Sequence, residues 1–122
     1  MRLAIVGSRD FDDEYLMAKY VAMIMVAHQQ DEMSVPEVEI ISGGAKGADT
    51  VGERFAHIYQ VPVTIFKPNW NELGKKAGFV RNKQIVDACD MILTFWDGKS
   101  KGTKHTIDLA KLAKKPTFIV YF

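Results

Sequence analysis

The chain is organised as five short apolar runs that alternate with segments of helical pattern. The runs are rich in β-branched and aromatic residues with little polar alternation, which is typical of parallel strands covered on both faces. The predicted strands are Leu3–Val6, Val38–Ile41, Val63–Phe66, Met91–Phe95 and Thr117–Tyr121. Helices are predicted near residues 13–30, 48–59, 79–88 and 103–114, with a loop over Asp31–Glu37. This alternation predicts an α/β protein with an open parallel five-stranded sheet and helices on both faces.

The length and composition are those of one globular domain over residues 1–122. No apolar run reaches the roughly 20 residues that span a bilayer, so no membrane partner is expected. The sequence enters a strand pattern at once, so we expect no cleaved signal peptide and a cytoplasmic location. Cys89 is expected to be a small buried apolar residue. The three histidines lack metal-ligand spacing, so neither a metal nor a cofactor is expected.

A glycine-rich turn between the second strand and the second helix is the strongest indication of a ligand. Gly43, Gly44 and Gly47 lie directly after the strand, and the helical pattern begins at residue 48. Glycines allow backbone N–H groups to approach a ligand closely. The helix N-terminus adds unpaired donors and a partial positive charge, which suit a phosphate. The turn lacks the GK[ST] ending of a Walker P-loop and is not GxGxxG, so it is a weak motif alone.

Polar loops follow three other predicted strands, and loops at the carboxyl ends of parallel strands meet at one edge of the sheet. These loops begin at Gly7, Lys67 and Trp96, and the third of them runs to the last helix. Their convergence with the glycine turn predicts a binding site at this rim. The predicted ligand-binding residues are Gly7, Ser8, Arg9, Ser42, Gly43, Gly44, Lys46, Gly47, Asp49, Trp70, Arg81, Asn82, Gly102 and Thr103.

Phosphate binding is expected from two kinds of group at this rim. Arg9 and Arg81 are favoured over the lysines because a guanidinium binds phosphate bidentately, although either arginine can instead pair with a surface aspartate. The segment Lys101–Thr103 opens the last helix, where backbone N–H groups and a hydroxyl either hold a second phosphate or simply cap the helix.

Sugar and base contacts are expected from the remaining polar and aromatic residues. Asp49 either accepts a hydrogen bond from a ribose hydroxyl or caps the second helix, where Thr50 and Glu53 also form a candidate capping box. Trp70 stacks on a base or packs against the flank of the domain, and Phe11 is a second candidate for covering the base.

Charge and apolar residues are unevenly distributed along the chain. Residues 1–66 hold five Lys/Arg and ten Asp/Glu, whereas residues 67–122 hold eleven and five. This asymmetry favours an anionic ligand or nucleic acid, or it reflects a solvated lysine surface.

The first predicted helix carries apolar residues on more than one face, which indicates deep packing or an oligomer interface. We therefore expect a homo-oligomer, a dimer or larger.

The rim residues taken together resemble a known family. They read Gly7-x-Arg9-x-Phe11-x-Asp13, Ser42-Gly43-Gly44-Ala45-x-Gly47-Ala48-Asp49, Trp70…Gly74-Lys75-x-Ala77-Gly78…Arg81-Asn82 and Asp97-Gly98-x-Ser100-x-Gly102-Thr103. In order and spacing this looks like the YspA/YpsA-related branch of the SLOG superfamily, which groups LOG nucleotide phosphoribohydrolases with DprA-like proteins. The resemblance covers nearly the whole chain. It implies a Rossmann-like domain, strand order 3-2-1-4-5 and a nucleotide or nucleotide-derived ligand at the rim.

The resemblance to the LOG enzymes is incomplete at the residues that carry their activity. Arg81 lies nine residues before Asp90, in the register of their functional arginine. Their signature PGGxGTxxE supplies a glutamate that stabilises an oxocarbenium-like state, whereas residues 102–106 here read GTKHT. Loss of such a group removes about 2.7–4 kcal/mol of transition-state stabilisation, by analogy with one oxyanion donor. The catalytic residues are therefore unknown, and the candidates are Arg81, Asp49 and Asp97.

Three functions are consistent with the sequence. The first, which we predict, is a sensor, regulator or sequestering protein that binds a small nucleotide-like molecule without altering it. The second is an N-glycosidic phosphoribohydrolase, which requires a carboxylate near the sugar. The third is a DprA-like binder of single-stranded nucleic acid, for which the basic second half and Trp70 argue. It ranks last because the net charge is only +1.

Overall fold

The computed structural model describes residues 1–29 and 37–122. The strands are β1 (Arg2–Gly7), β2 (Glu39–Ser42), β3 (Val63–Ile65), β4 (Met91–Trp96) and β5 (Thr117–Tyr121). The helices are α1 (Glu14–Ala27), α2 (Ala48–Ile58), α3 (Trp70–Leu73), α4 (Ala77–Ala88) and α5 (Lys101–Leu112), with a 3-10 turn at Gly74–Lys76. The predicted end of the first helix at residue 30, and residues 31–36 of the predicted loop, lie outside the described residues.

All five strands are parallel and lie in the order β3-β2-β1-β4-β5. This confirms the predicted fold class and the strand order that the family resemblance implies. The central strand β1 pairs with both neighbours, since Leu3 lies beside Ile40 of β2 and beside Met91 of β4. The strand order reverses at β1, so the loops after β1 and β4 diverge there and leave a crevice at the carboxyl edge.

Alternating strand residues build a separate hydrophobic core on each face of the sheet. Leu3 and Ile5 of β1 face the core that α1 and α2 cover, which includes Met17, Val21 and Val51. Ala4 and Val6 face the other core, which α4 and α5 cover with residues such as Ile85 and Ala110. Helices therefore lie on both faces, as predicted, and β1 ends between the two helical layers.

The segment after β3 differs from the polar loop that the sequence predicts. Asn69 begins a short helix because its side-chain oxygen accepts a hydrogen bond from the Glu72 N–H at 3.2 Å. The 3-10 turn then leads directly into α4, which begins two residues earlier than predicted. Arg81 and Asn82 lie on α4, within the helix predicted near residues 79–88, so their backbone is fixed by that helix.

Two further sequence expectations concern packing. Cys89 is 1% exposed, as expected for a small apolar residue. On α1 the side chains of Tyr15, Met23 and Val26 are exposed on the side away from the core, so the expected homo-oligomer stays a prediction. None of the helices in the described part of the chain has the length and apolar character that a membrane crossing requires.

Removal of one buried hydroxyl should stabilise the protein. Within residues 1–29 and 37–122, Thr94 Oγ1 is the buried side-chain polar atom that has no hydrogen-bond partner. Because burial of an unpaired hydroxyl is unfavourable, Thr94→Val should raise the free energy of unfolding by about 1 kcal/mol, measured by urea denaturation. Thr103→Val is the matched control and should be destabilising, since Thr103 Oγ1 lies 3.0 Å from Ser100 Oγ. A Thr94→Val protein less stable than wild type contradicts the prediction.

Candidate functional site

The loops after β1 and β2 meet through direct backbone contact at Gly47. This residue has φ +93°, and a Cβ there would lie 2.3 Å from the carbonyl oxygen of Ser8. The Ala48 N–H donates to the same carbonyl oxygen at 3.3 Å. The Ser8 hydroxyl in turn accepts a hydrogen bond from the Asp97 N–H at 3.1 Å, which joins the loop after β4. Only glycine permits this approach, so Gly47 fixes three rim loops relative to one another.

The side chain of Asp49 holds the glycine turn in place. Its Oδ2 atom accepts hydrogen bonds from the N–H groups of Gly43, at 3.1 Å, and Ala45, at 3.4 Å. The buried Ser42 hydroxyl accepts from the Gly44 N–H at 3.2 Å and contacts the Asp49 carbonyl oxygen at 3.4 Å. The turn is therefore organised by its own side chains before any ligand is present.

The predicted caps of α2 are wrong. The N-cap residue is Gly47, and no side chain accepts a hydrogen bond at this end of the helix. Asp49 lies in the first turn of the helix and points back to the glycine turn instead of capping. The Thr50 hydroxyl donates to the Ala45 carbonyl oxygen at 2.8 Å, so it does not form a capping box with Glu53. Both side chains therefore bind backbone groups of the glycine turn and not the N–H groups of the helix.

Arg81 reaches the same turn from α4. Its Nη1 donates to the Gly43 carbonyl oxygen, and its Nε donates to Asn82 Oδ1 at 3.0 Å. Arg81 and Asp49 flank Gly43 so closely that a Cβ there would lie 2.7 Å from Arg81 Nη1 and 2.7 Å from Asp49 Oδ2. A larger residue at position 43 would therefore displace the Arg81 guanidinium or the Asp49 carboxylate from the turn.

Burial controls the ionisation of both charged groups. The Asp49 side chain is 4% exposed, and this desolvation raises its pKa to about 6. The Arg81 charge and the two turn N–H groups oppose the increase without cancelling it. Burial likewise lowers the pKa of Arg81, against the attraction of Asp49. A carboxyl group with such a pKa exchanges its proton close to neutral pH.

The N-terminus of α5 forms the opposite wall of the site. Ser100 is its N-cap, with Oγ accepting from the Thr103 N–H at 3.4 Å. Asp97 Oδ1 accepts from the N–H groups of Lys99, at 2.8 Å, and Ser100, at 2.9 Å, which keeps the pKa of Asp97 below its ordinary value. The Asp97 carboxylate therefore binds backbone N–H groups of its own loop and holds the segment that leads into α5.

Asn82 connects the two walls. Its Nδ2 donates to the Gly102 carbonyl oxygen at 3.5 Å and lies 3.1 Å from His105 Nδ1. Because Asn82 Oδ1 also holds Arg81, one side chain sets the distance between the arginine and the start of α5. No pattern in the sequence singles out His105, since its contact with Asn82 depends on two helices meeting.

A cleft of about 310 Å³ opens between these walls at the carboxyl edge of the sheet. Its lining contains seven of the predicted ligand-binding residues, which are Gly7, Arg9, Asp49, Arg81, Asn82, Gly102 and Thr103. Sequence reasoning missed Val6, Ala45, Ile85, Ser100 and Thr106, which also line it. Ile85 and Thr106 lie four residues after Arg81 and Gly102, so the helical period alone places them on the same face.

The other predicted ligand-binding residues lie outside this cleft. Lys46 and Gly47 line a neighbouring cavity. Ser8, Ser42 and Gly43 are buried behind the lining, Gly44 is exposed beside it, and Trp70 is 57% exposed on α3. The proposed role of Phe11 in covering a base is wrong, because its ring is 1% exposed and stacks on Phe95 with centroids 4.2 Å apart.

The described residues contain no group of three or more histidine, cysteine or acidic side chains placed to hold a metal ion. The charged side chains that line the cleft are Arg9, Arg81 and Asp49.

Asp49 makes stability depend on pH in a defined direction. Its pKa is about 6 in the folded protein against 3.8 ordinarily, so its ionisation favours the unfolded chain. A shift of this size is worth about 3 kcal/mol, lost as the pH rises from about 4 to about 6. Asp49→Asn lacks the titrating group, so it should not lose this stability. The free energy of unfolding of the variant minus that of wild type should therefore increase from about pH 4 to about pH 6. Urea denaturation at each pH measures the difference, and a constant value from pH 4 to 7 contradicts the assignment.

Comparisons with known proteins agree with this architecture. The model of the family described as YAcAr: YspA, cpYpsA-related SLOG family matches residues 1–72, which include β1, β2, β3 and the glycine turn. The chain is 32% identical over 123 residues to "Gene 61 protein" of Mycobacterium phage D29, covering 94% of this chain and 92% of that protein. No solved structure matches it. This chain belongs to the YspA, cpYpsA-related SLOG family.

Proposed function

We propose that this protein binds a nucleotide or nucleotide-derived molecule by its phosphate and ribose, as a sensor, regulator or sequestering protein. The observation that carries the proposal is the convergence of Arg9, Arg81 and the N-terminus of α5 on one cleft. The cleft lies at the carboxyl edge of a parallel sheet, where ligands of such folds bind. Family membership supports a nucleotide-related ligand of this kind.

The first turn of α5 is suited to a phosphate. Helix geometry leaves the Lys101 and Gly102 N–H groups without intrahelical acceptors, and the helix dipole adds partial positive charge there. A Cβ on Gly102 would meet no atom within 4 Å, so the backbone is open to a ligand at this point. An anion in the cleft therefore finds backbone donors on one side and guanidinium groups on the other.

Arg81 is held ready for the same anion. Its Nε and Nη1 donate to Asn82 and Gly43, which uses two of the five N–H donors of a guanidinium. The remaining donors are available to a ligand at no cost of ordering the side chain, because α4 and the glycine turn already fix it. Arg9 is exposed, so it contributes charge that becomes ordered only when a ligand binds.

The base is expected outside the cleft. None of the lining residues is aromatic, so the cleft offers a base no ring on which to stack. Trp70 is exposed near the start of α4 and provides a ring on which any base can stack. Recognition through phosphate and ribose therefore favours similar affinities for AMP and GMP.

A second candidate function, N-glycosidic hydrolysis, is favoured by one observation. Asp49 is the carboxyl group that lines the cleft among the described residues, and its pKa of about 6 suits a general acid. Binding without hydrolysis is preferred because Asp49 Oδ2 is occupied by two turn N–H groups. The other candidate, Asp97, is directed to the N–H groups of Lys99 and Ser100.

Arg9→Ala tests the binding proposal. Loss of one hydrogen bond to a charged group costs about 1.5–3 kcal/mol, so AMP affinity should fall about tenfold or more in calorimetric titration. The melting temperature of the free protein should stay the same, because the Arg9 side chain is exposed. Lys83→Ala, which removes an exposed cation paired with Asp87 on α4, should leave AMP affinity unchanged. Equal affinities for wild type and Arg9→Ala contradict the proposed site.

Product analysis separates the two candidate functions. We expect AMP incubated with the purified protein to remain intact by liquid chromatography, since the carboxyl group of Asp49 is held by the N–H groups of Gly43 and Ala45. Release of adenine by wild type but not by Asp49→Asn would instead establish hydrolysis, with Asp49 in contact with the substrate. Folding of the variant is checked by its circular dichroism spectrum.

A further inference from the structure

A second cavity of about 380 Å³ lies beside the cleft and carries chemistry that the proposed function does not use. Arg9 lines both cavities. Gly47, which lines the second cavity, lies in close contact with the backbone of Ser8 and Arg9. The residues that line the second cavity are Arg9, Asp10, Phe11, Asp12, Lys46, Gly47, Thr50, Val51 and Arg54.

The side chains of the second cavity suit a phosphorylated sugar. Lys46, Arg54 and Arg9 supply three cations, and Arg54 is oriented by an ion pair with Glu14 at 3.2 Å. Asp10 and Asp12 supply carboxylates in the same cavity. Cations bind phosphate oxygens, and carboxylates accept hydrogen bonds from sugar hydroxyls. A surface that only attracted anions would not need both kinds of group.

The position of Arg9 limits the distance between the groups that the two cavities bind. A single guanidinium carries donors in a planar fork and can contact two anionic groups at once. Both groups must then lie within reach of one side chain. This condition favours a ligand in which one sugar separates two phosphates. Adjacent phosphates fit within one cavity, and a long dinucleotide places its groups beyond the reach of one side chain.

We propose that the binding site continues across Arg9 into the second cavity and takes a nucleotide with phosphate groups on two different positions of its ribose. One phosphate lies at the N-terminus of α5 with Arg81, and the other lies with Lys46 and Arg54. The proposal rests on the proposed function for its first half, since the α5 end of the ligand occupies the cleft. Its second half depends on residues that a mononucleotide does not need.

The test compares three probes, AMP, ADP and adenosine 3′,5′-bisphosphate, by calorimetric titration of the full chain at one salt concentration. The bisphosphate should bind about tenfold more tightly than AMP, as expected for one additional charge-assisted hydrogen bond. ADP controls for added charge, because its phosphates are adjacent, and its affinity should be close to that of AMP. The expected order therefore depends on the separation of the phosphates.

Lys46→Ala separates the two cavities. Lys46 is exposed and lies outside the lining of the cleft, so the variant should fold normally and bind AMP as wild type does. Its affinity for the bisphosphate should fall about tenfold, to the level of AMP. Arg54→Gln should give the same pattern, and Lys83→Ala is the matched control on another face.

The outcomes distinguish this inference from the proposed function. If AMP binds and the bisphosphate binds no more tightly, or if Lys46→Ala weakens both equally, the two-cavity site is wrong and the proposed function stands. If ADP matches the bisphosphate, total charge and not phosphate separation determines affinity, and the inference is again overturned. If none of the three probes binds to wild type, the proposed function and this inference both fail.

Discussion

The geometry of the rim depends on Gly43, which lies between the buried side chain of Asp49 and the half-buried side chain of Arg81. Asp49 accepts hydrogen bonds from the turn N–H groups, and Arg81 donates to a turn carbonyl oxygen. A carboxylate and a guanidinium are thus bound to opposite polar groups of one peptide segment. Because neither can move without leaving a buried polar group unpaired, the turn, α2 and α4 are fixed together. Asp49, Gly43 and Arg81 thus form a frame on which the other features of the site are built.

Burial of the Asp49 and Arg81 charges reduces the stability of the folded protein, and this cost indicates that the pair serves a purpose other than folding. Desolvation raises the pKa of Asp49 and lowers that of Arg81, so each charge is less stable than it would be in water. An uncharged turn with apolar neighbours would cost less. Such perturbed groups in a cleft are common at functional sites. The frame keeps a guanidinium in place at the rim, and this is the property that an anion-binding site requires.

The fold was predictable from sequence because its signals are local. Each strand is a short apolar run, and the strands agree with the structure to within one residue at either end. The four-residue helix α3 was not predictable from periodicity, because it is too short to show one, although Asn69 and Glu72 have cap spacing. The family resemblance supplied the strand order, which no local pattern contains.

The lining of the cleft was predictable in part, whereas the contacts of its residues were not. Loops after parallel strands converge, so seven of the residues that line the cleft could be named from their positions. Roles depend on contacts between distant segments, such as the hydrogen bond from Arg81 to Gly43, which are 38 residues apart in sequence. Asp49 illustrates the limit, since a helix cap and a turn anchor use the same residue type at nearly the same position. Only the three-dimensional distance decides between them.

Under the proposed function, the two arginines of the cleft divide the binding of an anion between a fixed and an adjustable group. Arg81 is half-buried and hydrogen-bonded, so it offers a constant geometry and loses little entropy on binding. Arg9 is exposed and lines both cavities, so its side chain can turn to either of them. A rigid group selects the shape of the anion, whereas a mobile group adapts to ligands of different length. Variation among ligands of this protein is therefore expected to be accommodated on the Arg9 side, while the contacts around Arg81 stay the same.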